Sequence, residues 1–186
     1  MKIKYITTVI TFCFISLYTF GQNKTVNIKK SKLSWTGKAA FNAYSLTGTL
    51  DVKSGDITIE NDTIKSLRIS INMKSLNHEN KDLKKHLKGE DFFEVKTYNE
   101  ATFQLSKGVA LTDGKAKISG IMTIKDISKT ESFTIKIDED YKELTFNISI
   151  DRTIYGVKFN SPSFFKKMKE NAIADEFKLK GSLILD

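Results

Sequence analysis

From Lys115 to Asp151 the chain alternates apolar and polar residues in three runs. Ala116, Ile118, Gly120, Met122 and Ile124 make the first, Phe133, Ile135 and Ile137 the second, and Leu144, Phe146, Ile148 and Ile150 the third. The residues between them, among them Lys117, Ser119, Thr134, Lys136, Asn147 and Ser149, are polar almost without a break. A period of two sends successive side chains to opposite faces, so each run reads as a strand with one buried and one wetted face. The links, Lys125 to Thr130 and Asp138 to Tyr141, are too short for a crossover and allow only antiparallel neighbours.

The same period recurs along the rest of the chain. Val26 and Ile28 open an extended segment that continues from Leu33 to Thr36, and Phe41, Tyr44 and Leu46 lead into Leu50 and Val52. Ser54-Gly55 is expected to turn the chain into a returning strand with Ile57 and Ile59, and Asn61-Asp62 to turn it again. Leu67, Ile69, Ile71 and Met73 then share one face of a strand of about ten residues, about 33 Å long. Ala101, Phe103 and Leu105 form another, Asp113-Gly114 is a hairpin signal because both residues tolerate a positive φ, and Phe177, Leu179, Gly181, Leu183 and Leu185 close the chain.

Two stretches break the alternation. Between Asn77 and Lys88 the leucines Leu83 and Leu87 fall four apart among charges, which predicts a short amphipathic helix capped by Asn77, with Glu79 in its first turn and Gly89 as its stop. The turn from Glu90 to Glu94 then drives Phe92 and Phe93 inward. Asp151 to Phe159 is expected to stay extended, and Ser161-Pro162 to open a second helix with Phe164, Phe165, Met168 and Ala172 on its apolar side.

Eight to ten antiparallel strands with two short helices predict an all-β fold, an extended antiparallel barrel of about eight strands, because closure removes exposed edges. Such a barrel either fills its interior with side chains or holds one small ligand. The inward positions of the long strand and the meander are large and apolar: Leu67, Ile69, Ile71, Met73, Phe103, Ile118, Met122, Ile124, Phe133, Ile135, Phe146 and Ile148, with Trp35 on an early strand. Alternation alone leaves a solid core and a cavity both open.

The first residues change the picture of where the protein works. Lys2 and Lys4 precede an apolar and hydroxyl run from Tyr5 to Phe20, and Thr19 and Gly21 stand where a cleavage site needs small residues. Residues 1–21 therefore read as a secretory signal peptide and residues 22–186 as one exported barrel domain, with no membrane span in the mature protein. The single cysteine, Cys13, leaves with the leader, so neither disulfide nor thiol chemistry is expected. The formal charge falls by the two lysines removed, from +8 to +6. Nucleic acid is a poor partner for this charge: only Arg68 and Arg152 are arginines, and the lysines are spread along wetted strand positions.

Candidate chemistry is sparse. His78 and His86, the two histidines, stand about two helical turns apart, too far to share a metal, so no metal site is expected. The chain has no Gly-x-Ser-x-Gly elbow, P-loop or dinucleotide fingerprint, and no catalytic residues are assigned. Asp138, Glu139 and Asp140 read as a solvated hairpin. Glu90 and Asp91 read as caps of the Phe92-Phe93 turn, and Lys166, Lys167 and Lys169 as the exposed side of the second helix or contacts for a lipid phosphate at the barrel mouth.

Four segments carry a resemblance. DLKKHLKGEDFFEVKTYNEATF, from Asp82 to Phe103, resembles the signature of the YceI-like family of exported lipid-binding proteins, in which a helix ending in His-Leu-Lys leads to Asp-Phe-Phe and a strand. SGIMTIKDISKTESF, from Ser119 to Phe133, is similar to that family's Gly-x-Leu-Thr-Ile-x-Gly-x-Thr-Lys hairpin, and DRTIYGVKFNSPSFFKKMKENAIADEF, from Asp151 to Phe177, to its third block. TGTLDVKSGDITIE, from Thr47 to Glu60, fits its first strands. The chain departs from the pattern at Asn99 and Thr130, where the family commonly has proline, at Asp126, where it has glycine, and at Met122, where it has leucine.

The resemblance implies a lipocalin-like barrel in the periplasm or secreted, whose hollow interior holds a long isoprenoid-type lipid or a quinone-like relative without catalysis and without another cofactor. The inward residues above would then be the wall, with Phe92 and Phe93 at one end and Phe164 and Phe165 at the other plugging or gating it. A filled-barrel, stress-associated interaction module and an enzyme acting on a lipid are the alternatives, and a homodimer is left open.

Overall fold

The computed structural model describes residues 21–165 and 172–186, so the expected leader up to residue 20, with Met168, Lys166, Lys167 and Lys169, lies outside the described residues. In chain order the strands are β1 (Gln22–Thr25), β2 (Lys32–Lys38), β3 (Ser45–Glu60), β4 (Thr63–Asn77), β5 (Glu100–Leu105), β6 (Val109–Ala110), β7 (Lys115–Ile124), β8 (Ile127–Ile137), β9 (Glu143–Asp151) and β10 (Glu176–Ile184). One α-helix, α1 (Lys81–Leu87), lies between β4 and β5. Eight strands close a ring in the order β3-β2-β10-β9-β8-β7-β5-β4, with β4 returning to β3; β1 and β6 flank it on β3 and β4. Every pairing is antiparallel. The barrel expected from the alternation is the fold.

The tight hairpins are set by residues that accept a left-handed backbone. Asn61 and Asp62 (φ 47° and 54°) join β3 to β4, and Lys125 and Asp126 (φ 51° and 57°) join β7 to β8. Two consecutive positive φ values match the twist of the flanking strands. The second link is therefore two residues long, shorter than the six expected, because Ile127 to Thr130 already pair with β7.

Ser54-Gly55 makes no turn. β3 runs unbroken through it for 16 residues, and the pairing with β4 slips between Val52 and Ser54. A bulge bends a strand without ending it, which lets one long hairpin follow the barrel's curvature. Gly55 is required there by close approach: a Cβ would sit 2.6 Å from Cγ2 of Val26, which packs across it.

Two other expectations shift. Asn80, not Asn77, caps α1, its Oδ1 accepting from the backbone N–H groups of Asp82 and Leu83 at 3.0 Å; Asn77 still belongs to β4. The chain after β9 does not stay extended but tightens into a 3-10 turn at Thr153–Tyr155 that ends on Gly156 with φ 79°. Only the last three residues of β8 pair with β9, and this turn drives the fully buried Tyr155 in beside the unpaired part, where its hydroxyl donates to Glu131 Oε1 at 2.9 Å. Residues 161–165 form a turn in which the Phe164 and Phe165 N–H groups both donate to Ser161 O, and most of the second helix expected from there falls on residues 166–171, outside the described residues.

Candidate ligand-binding cavity

The barrel is solid at one end and hollow at the other. Ile64 and Leu67 of β4, Ile118 of β7, Ile135 and Ile137 of β8, and Leu144 of β9 are all but fully buried in the solid end. Further along the same strands, Ile69, Ile71 and Met73 of β4, Met122 and Ile124 of β7, and Ile148 and Ile150 of β9 line a cavity of about 370 Å³. That size lies inside the ~300–1,000 Å³ range of small-molecule sites.

A layer of aromatic rings separates the two ends. Phe103, Phe133 and Phe146 form a chain with centroids 4.9 and 6.1 Å apart. Two of the rings lie flat against the wall because the strand beneath offers a glycine: a Cβ on Gly181 would run into the Phe146 ring, and one on Gly120 into the Phe103 ring. Rings folded over glycine cover the bare backbone and keep their bulk out of the lumen. Phe133 and Phe146 are only part-buried and border the cavity, while Phe103 is buried.

The hollow end is roofed by α1 and the turn after it. Leu83 and Leu87 face the cavity from the helix, and Phe92 and Phe93 from the turn, where Glu94 takes φ 47°. The Phe92 ring packs on Phe159 and on the edge of His86 (centroids 5.3 and 5.1 Å), so His86 is a packing partner of the roof. His78 packs beside Trp35 at 5.8 Å and accepts from the backbone N–H of Asn80 at its Nδ1. Among the described residues no group of three His, Cys, Asp or Glu side chains is placed to hold a metal ion.

Arg152 is the buried charged member of the lining, only 3 % exposed, whereas Lys38 and Glu176 are exposed. Its guanidinium donates to three carbonyl oxygens, Ala174 at 3.0 Å, Val157 at 2.8 Å and Ile173 at 2.9 Å. Burial pulls its pKa down, opposed by the charges of Asp175 and Asp151, and the group stays a cation. By holding these carbonyls it ties residues 173–174 to the loop after the 3-10 turn. Nothing in the alternation pointed to it, since an arginine following a strand usually faces water.

The structure sorts the expected wall residues into three groups. Trp35, Ile69, Ile71, Met73, Phe92, Phe93, Phe103, Met122, Ile124, Phe133, Phe146 and Ile148 border the cavity. Leu67, Ile118 and Ile135 do not: they lie beyond the aromatic layer in the solid end. Phe164 and Phe165 do not plug the barrel either, and about half of each side chain faces solvent. Their turn is held down by the hydroxyls of Ser161 and Ser163, which both donate to Asp175, and this leaves the rings outside. The alternation also missed Leu46, Leu50, Leu76, Leu179 and Ile173, which line the cavity. Leu50 and Leu179 kept the period of two and could have been included.

The cavity opens where its lining becomes exposed, at Lys38, Asn42, Tyr44 and Glu176. A closed antiparallel barrel with a lumen of almost wholly apolar lining defines the class: a lipocalin-like barrel. The YceI-like domain model matches residues 25–185, and the chain belongs to the YceI-like family.

Relatives place it further. A UPF0312 protein of Vibrio parahaemolyticus is 27 % identical over 114 residues, 60 % of this chain and 56 % of that one, and one of Vibrio vulnificus is 26 % identical over the same shares. The match thus spans little more than half the length of these curated relatives. BcnA of Burkholderia cenocepacia superposes with a TM-score of 0.70 at 23 % identity, covering 86 % of this chain and 98 % of BcnA. A polyisoprenoid binding domain from Saccharophagus degradans, described as implicated in plant cell wall breakdown, gives 0.64 at 13 % identity, covering 88 % and 97 %. At these identities the likeness is one of fold.

Proposed function

We propose that this protein binds a long apolar lipid of the isoprenoid type, a polyprenyl chain or a polyprenyl-tailed quinone, in the hollow end of its barrel, and carries it without chemical change. The observation behind this reading is the enclosed apolar cavity bounded below by the Phe103-Phe133-Phe146 layer and above by Phe92 and Phe93. Each methylene moved from water into such a lining is worth about 0.8 kcal/mol, so a hydrocarbon chain needs few polar contacts to stay. The Saccharophagus degradans domain, named for polyisoprenoid binding, has the same fold and supports the choice of lipid.

The same reading places the protein outside the cytoplasm, in the periplasm or secreted, with residues 1–21 as its export signal. Native mass spectrometry of the purified exported protein, followed by organic extraction, tests the ligand. An extractable polyprenyl lipid, or a rise in melting temperature on adding one, is the expected result. A protein that carries no lipid and gains no stability from a polyprenyl alcohol or quinone would refute the proposal. Intact mass reads the leader: a mature chain beginning near Gln22 is expected, and retention of Met1 would refute export by cleavage.

A further inference from the structure

We propose that the rim around the cavity mouth is a docking surface for a phospholipid bilayer rich in anionic head groups. Phe41 and Tyr44 on the β2–β3 loop are 65 % and 62 % exposed, and Phe164 and Phe165 on the 161–165 turn are 49 % and 47 % exposed. Among the described residues these four are all of the large exposed aromatics; the other large exposed apolar side chains, Ile28, Ile121, Ile127 and Ile154, are isoleucines. A soluble barrel that scattered its apolar surface at random would not gather every exposed ring at one opening.

The two turns are held together as one rim. Residues 172–174 run between them: Ala40 N–H donates to Ala172 O at 2.8 Å, Ala174 N–H to Lys38 O at 2.9 Å, and Ile173 N–H to Asn160 O at 2.8 Å. The charges sort in a matching way. Asp175 is engaged by Ser161, Ser163 and Arg152, and Glu176 accepts from Ser149 at 2.8 Å. Lys38 and Lys158 are exposed and pair with no carboxylate among the described residues, and the Lys158 ammonium stands 4.6 Å above the Phe164 ring. Aromatic rings settle at the boundary between head groups and acyl chains, and lysines beside them are drawn to anionic lipid. Tyr44 belongs both to the rim and to the cavity lining, so a bilayer seated there would seal the mouth and let an apolar guest pass without crossing water.

Docking calls only for the rim and is independent of what fills the cavity. The test is flotation of the exported protein, its N-terminus checked by intact mass, with vesicles of phosphatidylcholine alone or mixed with phosphatidylglycerol. The parent is expected to float with the mixed vesicles, less with phosphatidylcholine, and to be released by salt. Replacing Phe41, Tyr44, Phe164 and Phe165 together by serine should cut partition by about tenfold or more. Lys38→Gln and Lys158→Gln should each cost about fivefold, on anionic vesicles only. Circular dichroism and melting temperature report folding. If the fourfold variant does not fold, the pairs Phe41→Ser with Tyr44→Ser and Phe164→Ser with Phe165→Ser, on separate turns, give the same reading. A parent that stays unbound to anionic vesicles, or folded serine variants that float like the parent, would overturn the proposal. So would a parent that forms a dimer, loses it in the serine variants and ignores vesicles, which would assign the rim to a second copy. Loss of polyprenyl binding with flotation intact would strike at the cavity reading alone.

Discussion

The two ends of this barrel are built from one alternating pattern, on the same strands, and yet one is packed and the other open. On β9, Leu144 is fully buried and Ile148, four residues on, faces a lumen. On β7 the pair is Ile118 and Ile124. On these two strands the side chains at the hollow end, Met122, Ile124, Ile148 and Ile150, are as large and apolar as Ile118 and Leu144 at the solid end. What differs is the layer between them: glycines at Gly120 and Gly181 let Phe103 and Phe146 lie along the wall instead of across the lumen, and the roof is carried by α1 and the Phe92-Phe93 turn instead of by converging strands. A cavity here is a consequence of where large rings are allowed to rest.

The contrast is broken most directly at the solid end. Leu144→Ala removes a close-packed side chain with no space to relax into, and should lower apo stability by about 2–5 kcal/mol in urea unfolding. Lipid affinity measured on the folded fraction should hardly change. Equal losses of stability at Leu144 and at Ile148 would mean that the two ends do not differ.

Next in size is Gly181→Val. Its side chain would occupy the place of the Phe146 ring and push it into the lumen, at a cost of about 1–3 kcal/mol for overpacking. Polyprenyl binding should fail while the fold survives. Retained affinity would show that the ring has another place to go.

Phe146→Ala should cost only about 1–2 kcal/mol, below the ~3–5 kcal/mol of a phenylalanine deleted from a solid core, because one side of the ring already borders space. Affinity should shift as the cavity enlarges downward. A loss of the full core size in thermal unfolding of the lipid-free protein would place Phe146 in the solid end after all.

The smallest effect lies on the outer wall. Glu100 accepts from Lys53 Nζ at 2.5 Å and from the Ser70 hydroxyl. The Lys53 hydrogen bond, then that of Ser70, hold its carboxyl below the ordinary value near 4.5. A depressed folded-state pKa stabilises above about pH 4.5, and that contribution is lost as pH falls through the lower folded value. For so exposed a group Glu100→Gln should cost less than about 1 kcal/mol. It should flatten only the acid limb of stability against pH, leaving the cavity untouched. A change in lipid affinity at neutral pH would contradict this.

The alternation of Lys115 to Asp151, Leu67 to Met73 and Phe177 to Leu185 determined the strands, their antiparallel order and hence the closed barrel, because a period of two with short links leaves few other arrangements. It also picked the inward side chains, since that choice depends only on parity along a strand. Whether an inward side chain meets a neighbour or empty space was decided across the barrel, by residues far apart in sequence: Gly181 beneath Phe146, Gly120 beneath Phe103, Asp175 pinning the Ser161-Ser163 turn so that Phe164 and Phe165 stay outside. Ser54-Gly55 has the composition of a turn and became a bulge because Val26, 29 positions earlier, packs against the glycine. Parity is local and survives in the sequence; volume is shared among side chains from many strands, and only the closed barrel brings them together.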